Sequence, residues 1–239
     1  DYAEVHYNLG VTLQELGQLD AAIKSYEQAL AINPDYADAY INLGNTLRDL
    51  NQLDAAVKSY EKALTINPDY AEAHNNLGNT LNDLGQLDAA VKSFEKALAI
   101  NPDYADAHNN LGNTLTNLDQ LDAAVVSYDR ALVLNPNINF ILGQSLHAKM
   151  HLCIWDELSN DLNELTKKIN NNEKVTDPFS PLALIDNPKL QRKTAEIFAN
   201  KKYPKNHDLP EIGLYPKHKK IRIGYFSADF REHPVSALT

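Results

Sequence analysis

The chain has 239 residues, 44 % of them hydrophobic, with a formal charge of −10 and one cysteine, Cys153. No apolar run approaches the roughly 18–20 residues that span a bilayer, so no membrane partner is expected; a lone cysteine excludes an internal disulfide framework and fits a reducing, cytoplasmic location. Residues 1–136 hold 7 of the 22 basic and 20 of the 32 acidic side chains, and such an acidic segment repels phosphate backbones, so nucleic acid is not expected as its partner.

A 34-residue unit recurs over 1–34, 35–68, 69–102 and 103–136. Tyr2, Tyr36, Tyr70 and Tyr104 mark its starts, and Asn-Pro pairs at 33–34, 67–68, 101–102 and 135–136 mark its ends. The second and third copies agree at 27 of 34 positions, so they are one structural unit repeated. A fixed period of this length predicts helix–turn–helix repeats stacked into an all-α solenoid with a long concave groove. In the second copy Ala39, Leu43, Leu47 and Leu50 fall on one face of a first helix, with Asp35 expected as its N-cap and Asp38 in its first turn. Asn51-Gln52 breaks the run where the first and third copies have Gly17 and Gly85, residues suited to positive φ. The second helix is predicted over Leu53 to Ile66, with Ala56, Tyr60, Ala63 and Leu64 on its apolar side and Pro68 beyond it. Gly44 is expected to lie against Ala56 and Ala63, with Leu47 and Tyr60 filling the gaps. Tyr40, Leu43-Gly44, Ala56, Tyr60, Ala63 and Pro68 together resemble the signature of the tetratricopeptide family, which implies a right-handed solenoid of helix pairs.

The first helices leave a second stripe at i, i+3, i+7: Asn42, Asn45, Asp49, then Asn76, Asn79, Asp83, then Asn110, Asn113, Asn117, with Asn8 in the first copy. Asparagine costs a helix roughly 0.6 kcal/mol relative to alanine, so its recurrence calls for a reason. A carboxamide carries a donor and an acceptor and can pair with a peptide amide. The stripe therefore predicts a groove holding extended polypeptide segments through Asn8, Asn42, Asn45, Asn76, Asn79, Asn110 and Asn113. Two plainer readings stand beside it: a solvated face enriched in asparagine, or asparagines bonding between adjacent helices. His6, His74 and His108 lie one repeat apart, too far to share a metal, and are read as packing residues. His147 and His151, at i, i+4, lack an evident third ligand, so no metal site is predicted.

After Pro136 the repeat decays. Ile138 to Ile154 and Trp155 to about Ile169 read as helices of a degenerate capping unit, 137–169, with Leu158, Leu162, Leu165 and Ile169 on one face. Asn170 to Pro188 reads as a linker, followed by a helix from Pro188 to about Lys201, within a helix-containing linker region over 170–219. At 220–239 the pattern changes: Ile221–Ser227 alternates as a β-strand, Asp229–Pro234 forms a loop, and Val235–Leu238 opens a helix. This is the first half-unit of an incomplete α/β domain. The first repeat lacks a polar cap, so self-association through the repeat ends is a further expectation.

The run from Lys220 to Pro234, with Arg222-Ile223-Gly224, Ser227, Asp229-Phe230 and His233-Pro234, resembles the opening of the catalytic region of protein O-GlcNAc transferases, and Leu152–Asp156 is similar to that family's passage from array to enzyme. The resemblance implies a GT-B-like start and a parent enzyme that moves N-acetylglucosamine from UDP-GlcNAc to Ser or Thr of polypeptides, inverting and without a metal. It implies an asparagine-lined array that threads the substrate, and it places His233 near the donor as a catalytic candidate. The residues that would hold UDP are missing, so this chain alone is expected to be inactive and to hold no cofactor. The alternative expectation is a stand-alone scaffold for protein–protein interaction.

Overall fold

A computed structural model of the chain describes residues 2–203, and their secondary structure is entirely helical. The strand expected over 221–227, the helix start at 235–238 and His233 lie outside the described residues. Four helix pairs occupy the four repeats: α1 (Tyr2–Glu15) with α2 (Leu19–Ile32), α3 (Ala37–Asp49) with α4 (Leu53–Ile66), α5 (Ala71–Asp83) with α6 (Leu87–Ile100), and α7 (Ala105–Asn117) with α8 (Leu121–Leu134).

Within each pair the first helix stops at a residue in the left-handed region: Gly17 (φ 72°), Asn51 (59°), Gly85 (73°) or Asp119 (58°). The next amide reaches back five residues, as in Gln52 N–H to the Leu47 carbonyl at 2.8 Å, while Asn51 N–H bonds the Arg48 carbonyl at 2.8 Å. This double closure satisfies carbonyls that the helix end orphans and turns the chain by one tight step. Between repeats the asparagine of each Asn-Pro pair accepts a hydrogen bond from the amide two residues on, as Asn67 Oδ1 does from Asp69 N–H at 3.2 Å. That turn changes the expected role of Asp35. Its amide is taken by Asn33, the helix begins only at Ala37, and Tyr36 occupies the cap position with no side-chain bond. Asp38 does sit in the first turn, where it also accepts from the Tyr70 hydroxyl at 2.7 Å.

The contact that closes each pair is a glycine under an aromatic ring. Gly10, Gly44, Gly78 and Gly112 face Tyr26, Tyr60, Phe94 and Tyr128, and a Cβ on any of them would stand 2.5–2.7 Å from the ring. The four rings are essentially fully buried. The atoms nearest Gly44 belong to Tyr60, and Ala56 and Ala63 are fully buried members of the same core.

Pairs stack in order, each second helix packing on the next first helix. Successive first helices also touch directly, α1 with α3, α3 with α5 and α5 with α7, whereas successive second helices make no comparable contact. The side on which neighbouring repeats draw together is the inner side of a bend, so the first helices line the concave edge of the array.

His74 fills its packing position with a specific bond: Nε2 lies 3.0 Å from the Pro68 carbonyl, as His108 Nε2 lies 2.9 Å from that of Pro102. A carbonyl only accepts, so Nε2 carries the proton and Nδ1 of His74 is left buried and unpartnered. Burial pushes the His74 pKa below its ordinary value, the nearby Lys96 adding to this while the Pro68 bond and Asp69 oppose it.

Beyond α8, Phe140 (φ 70°) resets the chain, so α9 runs over Ile141–His151 instead of the longer helix expected, and Cys153 (φ 57°) closes it. α10 spans Leu158–Asn170, starting three residues after Trp155, which is half exposed. Leu165 and Ile169 are buried while Leu158 and Leu162 are partly so. The segment 170–188 is not the free linker expected. Phe140 N–H and Gly143 N–H donate to the carbonyls of Lys174 and Val175 at 2.6 and 3.0 Å, Val175 and Thr176 are buried, and a short helix α11 (Ser180–Leu184) follows. α12 (Pro188–Lys202) is capped by Asn187, and Leu190 joins Leu146, Leu165, Ile169 and Val175 in a second small core.

Two stability predictions follow from these contacts. Gly44→Ala should cost about 1–3 kcal/mol by overpacking Tyr60, outweighing the ~1 kcal/mol alanine gains in a helix interior, whereas Gly85→Ala, with open space around it, should cost only about 1 kcal/mol through its positive φ. Thermal melts followed by circular dichroism measure both. Because the folded state holds His74 below its unfolded pKa, its contribution is complete above about pH 6.5 and is lost as pH falls. His74→Tyr, which places there the residue that repeat two has as Tyr40, should flatten the decline in melting temperature between pH 7.5 and 5.5. His147, whose pKa is also lowered by burial and by His151, contributes a slope of the same sign.

Candidate functional site: an amide stripe on the first helices

The sequence-predicted asparagines fall on the first helices, and three of them bond across to the preceding repeat. Asn42 Nδ2 donates to the Tyr7 hydroxyl at 2.9 Å, Asn76 Nδ2 to Asn45 Oδ1 at 3.1 Å, and Asn110 Nδ2 to Asn75 Oδ1 at 3.0 Å. Each bond crosses from one repeat to the one before. The partner is decided by a residue just ahead of the asparagine position in the preceding repeat: Tyr7 and Asn75 offer an acceptor there, but Ile41 does not, so Asn76 turns to Asn45 instead.

In repeats two and four the second asparagine of the first helix is held from below. The Tyr60 hydroxyl donates to Asn45 Oδ1 at 2.7 Å and that of Tyr128 to Asn113 Oδ1 at 2.9 Å. These are the rings that cover Gly44 and Gly112, so the side chain that closes the pair also reaches the inner face with its polar end. In repeat one, where Val11 replaces asparagine, Tyr26 donates to Gln14 Oε1 at 2.8 Å. Burial pushes the Tyr60 and Tyr128 phenols above the usual tyrosine value, so both stay protonated donors through the neutral range.

The predicted residues therefore divide by what they have left to offer. Asn42 and Asn110 keep a free carbonyl oxygen, and Asn45 and Asn113 keep a free amino group; all four are half-buried. Asn76 is engaged at both ends, its oxygen accepting a long bond from Asn75 at 3.4 Å. Asn8 is exposed, and Asn79 is half-buried with no hydrogen bond. Both plainer readings of the stripe thus have some truth: several of these amides do tie helices together. Asn75, buried in the ladder, and Tyr7 are members that sequence reasoning missed, since nothing in their own repeat distinguishes them. Exposed acids, Glu15, Asp49 and Asp83, lie further along the same helices, and Arg48 bridges to Asp83 at 3.4 Å.

His147 and His151 stack edge to face with ring centres 4.6 Å apart, and among the described residues no cluster of three or more His, Cys, Asp or Glu side chains is placed to hold a metal ion. Among the described residues no helix is long and apolar enough to cross a membrane. At the start of the array Leu9 is 47 % exposed, against 8–9 % for its counterparts Leu43, Leu77 and Leu111, because no described helix packs on that face of α1.

Comparison with known proteins bears on the fold. A family model described as TPR repeat matches residues 13–47, 44–83 and 78–119, and one described as tetratricopeptide repeat matches 105–138; together they span more than half of the chain. No curated protein matches it. Among solved structures, MamA is 24 % identical with a TM-score of 0.63, covering 68 % of this chain and 95 % of its own. The Pseudomonas aeruginosa pilF protein is 19 % identical with a TM-score of 0.67, covering 86 % and 93 %. YrrB, described as a TPR protein with an unusual peptide-binding site, is 18 % identical with a TM-score of 0.58, covering 80 % and 90 %. Identities this low speak to fold alone. With four helix pairs closed by glycine under an aromatic ring, and family matches running from residue 13 to 138, the chain belongs to the tetratricopeptide-repeat family.

Proposed function

We propose that the array is a protein-interaction scaffold that holds extended polypeptide segments along its first helices. The observation that carries this reading is the half-engaged state of the amides: Asn42, Asn45, Asn110 and Asn113 are each fixed by one polar atom and present the other. A side chain already immobilised loses little entropy on binding, which favours a ligand that needs many weak, equivalent contacts. Free carbonyl oxygens and amino groups along one line complement the N–H and C=O groups of an extended backbone. The acidic balance of residues 1–136 favours neutral or basic chains. YrrB, a neighbour in fold, is described as having a peptide-binding site, which agrees with this class of partner.

A second reading adds a parent enzyme. The run Lys220–Pro234 favours a protein O-GlcNAc transferase, in which the array would present polypeptide substrates to a UDP-GlcNAc-dependent domain with His233 near the donor. Its support is the sequence resemblance alone, since the structural relatives are repeat proteins; radiolabelled UDP-N-acetylglucosamine supplied to the product of the full gene with a protein extract decides it, and absence of transfer overturns it. Self-association through the open face of α1 is a separate expectation, and light scattering that shows only monomer at high concentration would remove it.

The scaffold reading is tested with a fluorescein-labelled, unstructured 20-residue peptide of Gly, Ser, Ala and Lys, followed by fluorescence anisotropy. Asn42→Ala combined with Asn110→Ala should leave the helical circular dichroism unchanged and weaken binding about 5- to 150-fold, as expected for two lost hydrogen bonds of ~0.5–1.5 kcal/mol each. Equal affinity of the variant and the parent would overturn the role given to the amides.

A further inference from the structure

Where the regular repeats end, the amide stripe gives way to a cavity of different chemistry. In α9, Leu142-Gly143-Gln144 stands in the register of Leu111-Gly112-Asn113, so Gln144 takes the place of Asn113. Gly143 is covered as the other glycines are, but by Thr176 of the segment leading into α11 instead of an aromatic ring. Between that segment, α9 and the turn that closes α7 lies a cavity of about 360 Å³. Its polar wall includes Asp119, Gln144, His147, His151 and Asp177, and Phe179 stands at it with 77 % of its surface exposed. Thr116, also in the wall, lies 3.1 Å from the Tyr128 hydroxyl that holds Asn113, so the cavity adjoins the last rung of the stripe. A volume near the bottom of the ~300–1,000 Å³ range of ligand pockets suits a single side chain.

The acceptors of this wall are largely unspent. Asp119, Gln144 and both imidazoles carry no side-chain hydrogen bond. Asp177 Oδ1 accepts from the amides of Phe179 and Ser180 at 2.7 and 3.0 Å, and Oδ2 from Ser180 Oγ at 2.7 Å. A carboxylate has about four acceptor sites, so one remains on Oδ2, already fixed in direction by the other three bonds. No lysine or arginine lines the cavity, and Lys149 of the same helix is engaged with Asp129 at 2.9 Å, so the two carboxylates act unopposed. Burial and His151 hold the His147 pKa down, with Asp177 opposing, so that ring is neutral at pH 7.5 and offers an acceptor nitrogen. We infer that this cavity is a site for one arginine side chain of the bound polypeptide. The inference deepens the scaffold reading and rests on it: the first helices hold the chain by its backbone, and the cavity selects a residue. A guanidinium matches the wall on two counts. Its five N–H donors meet carboxylate, carboxamide and imidazole acceptors spread around one space, and its flat face stacks on an aromatic ring such as Phe179. A lysine brings three donors and no flat face, and an acidic side chain is repelled.

The test compares two fluorescein-labelled, unstructured 20-residue peptides of Gly, Ser and Ala on the full chain, one with a single central arginine and one with citrulline, its uncharged isostere, in that place. Fluorescence anisotropy should show the arginine peptide binding about 10-fold more tightly, as expected for charge-assisted hydrogen bonds in a half-exposed site. Asp119→Asn places there the residue that repeat two has as Asn51, so the left-handed turn is kept, and it should cut the ratio to about 3-fold or less. Phe179→Ala, at an exposed ring, should lower the ratio about 2- to 5-fold. Asp20→Asn removes the same charge from the first turn of α2, three repeats away, and should leave the ratio unchanged. If both peptides bind the unchanged chain equally, the arginine site is overturned and the scaffold reading stands. A ratio that Asp119→Asn and Phe179→Ala leave as it was, or that Asp20→Asn lowers as much as Asp119→Asn does, assigns the preference to the overall acidity of the array and likewise overturns the site. If neither peptide binds, the scaffold reading and this inference are overturned together.

Discussion

The structure depends on one contact made four times, a ring of the second helix laid across a glycine of the first. Burying an aromatic side chain is worth roughly 2–3 kcal/mol, against about 1 kcal/mol for keeping glycine inside a helix, so the exchange favours the pair at every repeat. Because a Cβ at Gly10, Gly44, Gly78 or Gly112 would stand within 2.7 Å of the ring, the distance between the two helices is set by this contact. That distance in turn decides where the far end of the ring emerges. In three repeats it emerges as a hydroxyl at the inner face, against an amide or glutamine oxygen. Packing and the polar ends presented at the first-helix face are therefore specified by the same side chain, and a tyrosine-to-phenylalanine change can alter the second while leaving the first intact.

The amide stripe illustrates how a costly residue is maintained. Asparagine is unfavourable in a helix by roughly 0.6 kcal/mol, while an inter-helix hydrogen bond contributes ~0.5–1.5 kcal/mol, so Asn42, Asn76 and Asn110 are held at little or no net cost to stability. The stripe is not uniform, though. Tyr7, Ile41 and Asn75 occupy equivalent positions, and the change among them redirects Asn76 away from its own counterpart pattern and leaves it with neither end free. A ladder that looks regular by residue type is irregular in what each rung can offer a ligand.

Much of the array could be read from the sequence because its determinants are local. The span Leu53–Ile66 was expected and is what α4 occupies, since the turn residues Asn51 and Asn67 lie immediately outside it. The reversal at Gly17 and Gly85 likewise needs only a residue tolerant of positive φ. What could not be read depends on partners 12 to 35 positions away. The opponent of Gly44 is Tyr60, and the donors and acceptors around Asn45 come from the second helix of its own repeat and the first helix of the next. The stretch 170–188 misled for a related reason. Its prolines and asparagines have linker chemistry, yet the carbonyls of Lys174 and Val175 serve the amides of Phe140 and Gly143, which the left-handed Phe140 leaves open. The asparagine stripe itself was legible as a pattern, but a pattern of residue type does not say which polar atoms remain free.

The spacing of the rungs explains why backbone recognition suits this face better than side-chain recognition. Packed helices lie about 8–10 Å apart, and an extended strand rises about 3.3 Å per residue, so a chain running across the first helices advances roughly three residues per repeat. Side chains of an extended strand alternate from face to face with a period of two. Successive rungs therefore meet opposite faces of the strand, and a side-chain pocket repeated at every repeat would find its target only at every second one. Peptide amides, by contrast, occur at every residue. Asn109, the counterpart of Asn75, has its oxygen buried without a hydrogen-bond partner. Four repeats at this spacing correspond to about ten to twelve residues of an extended chain.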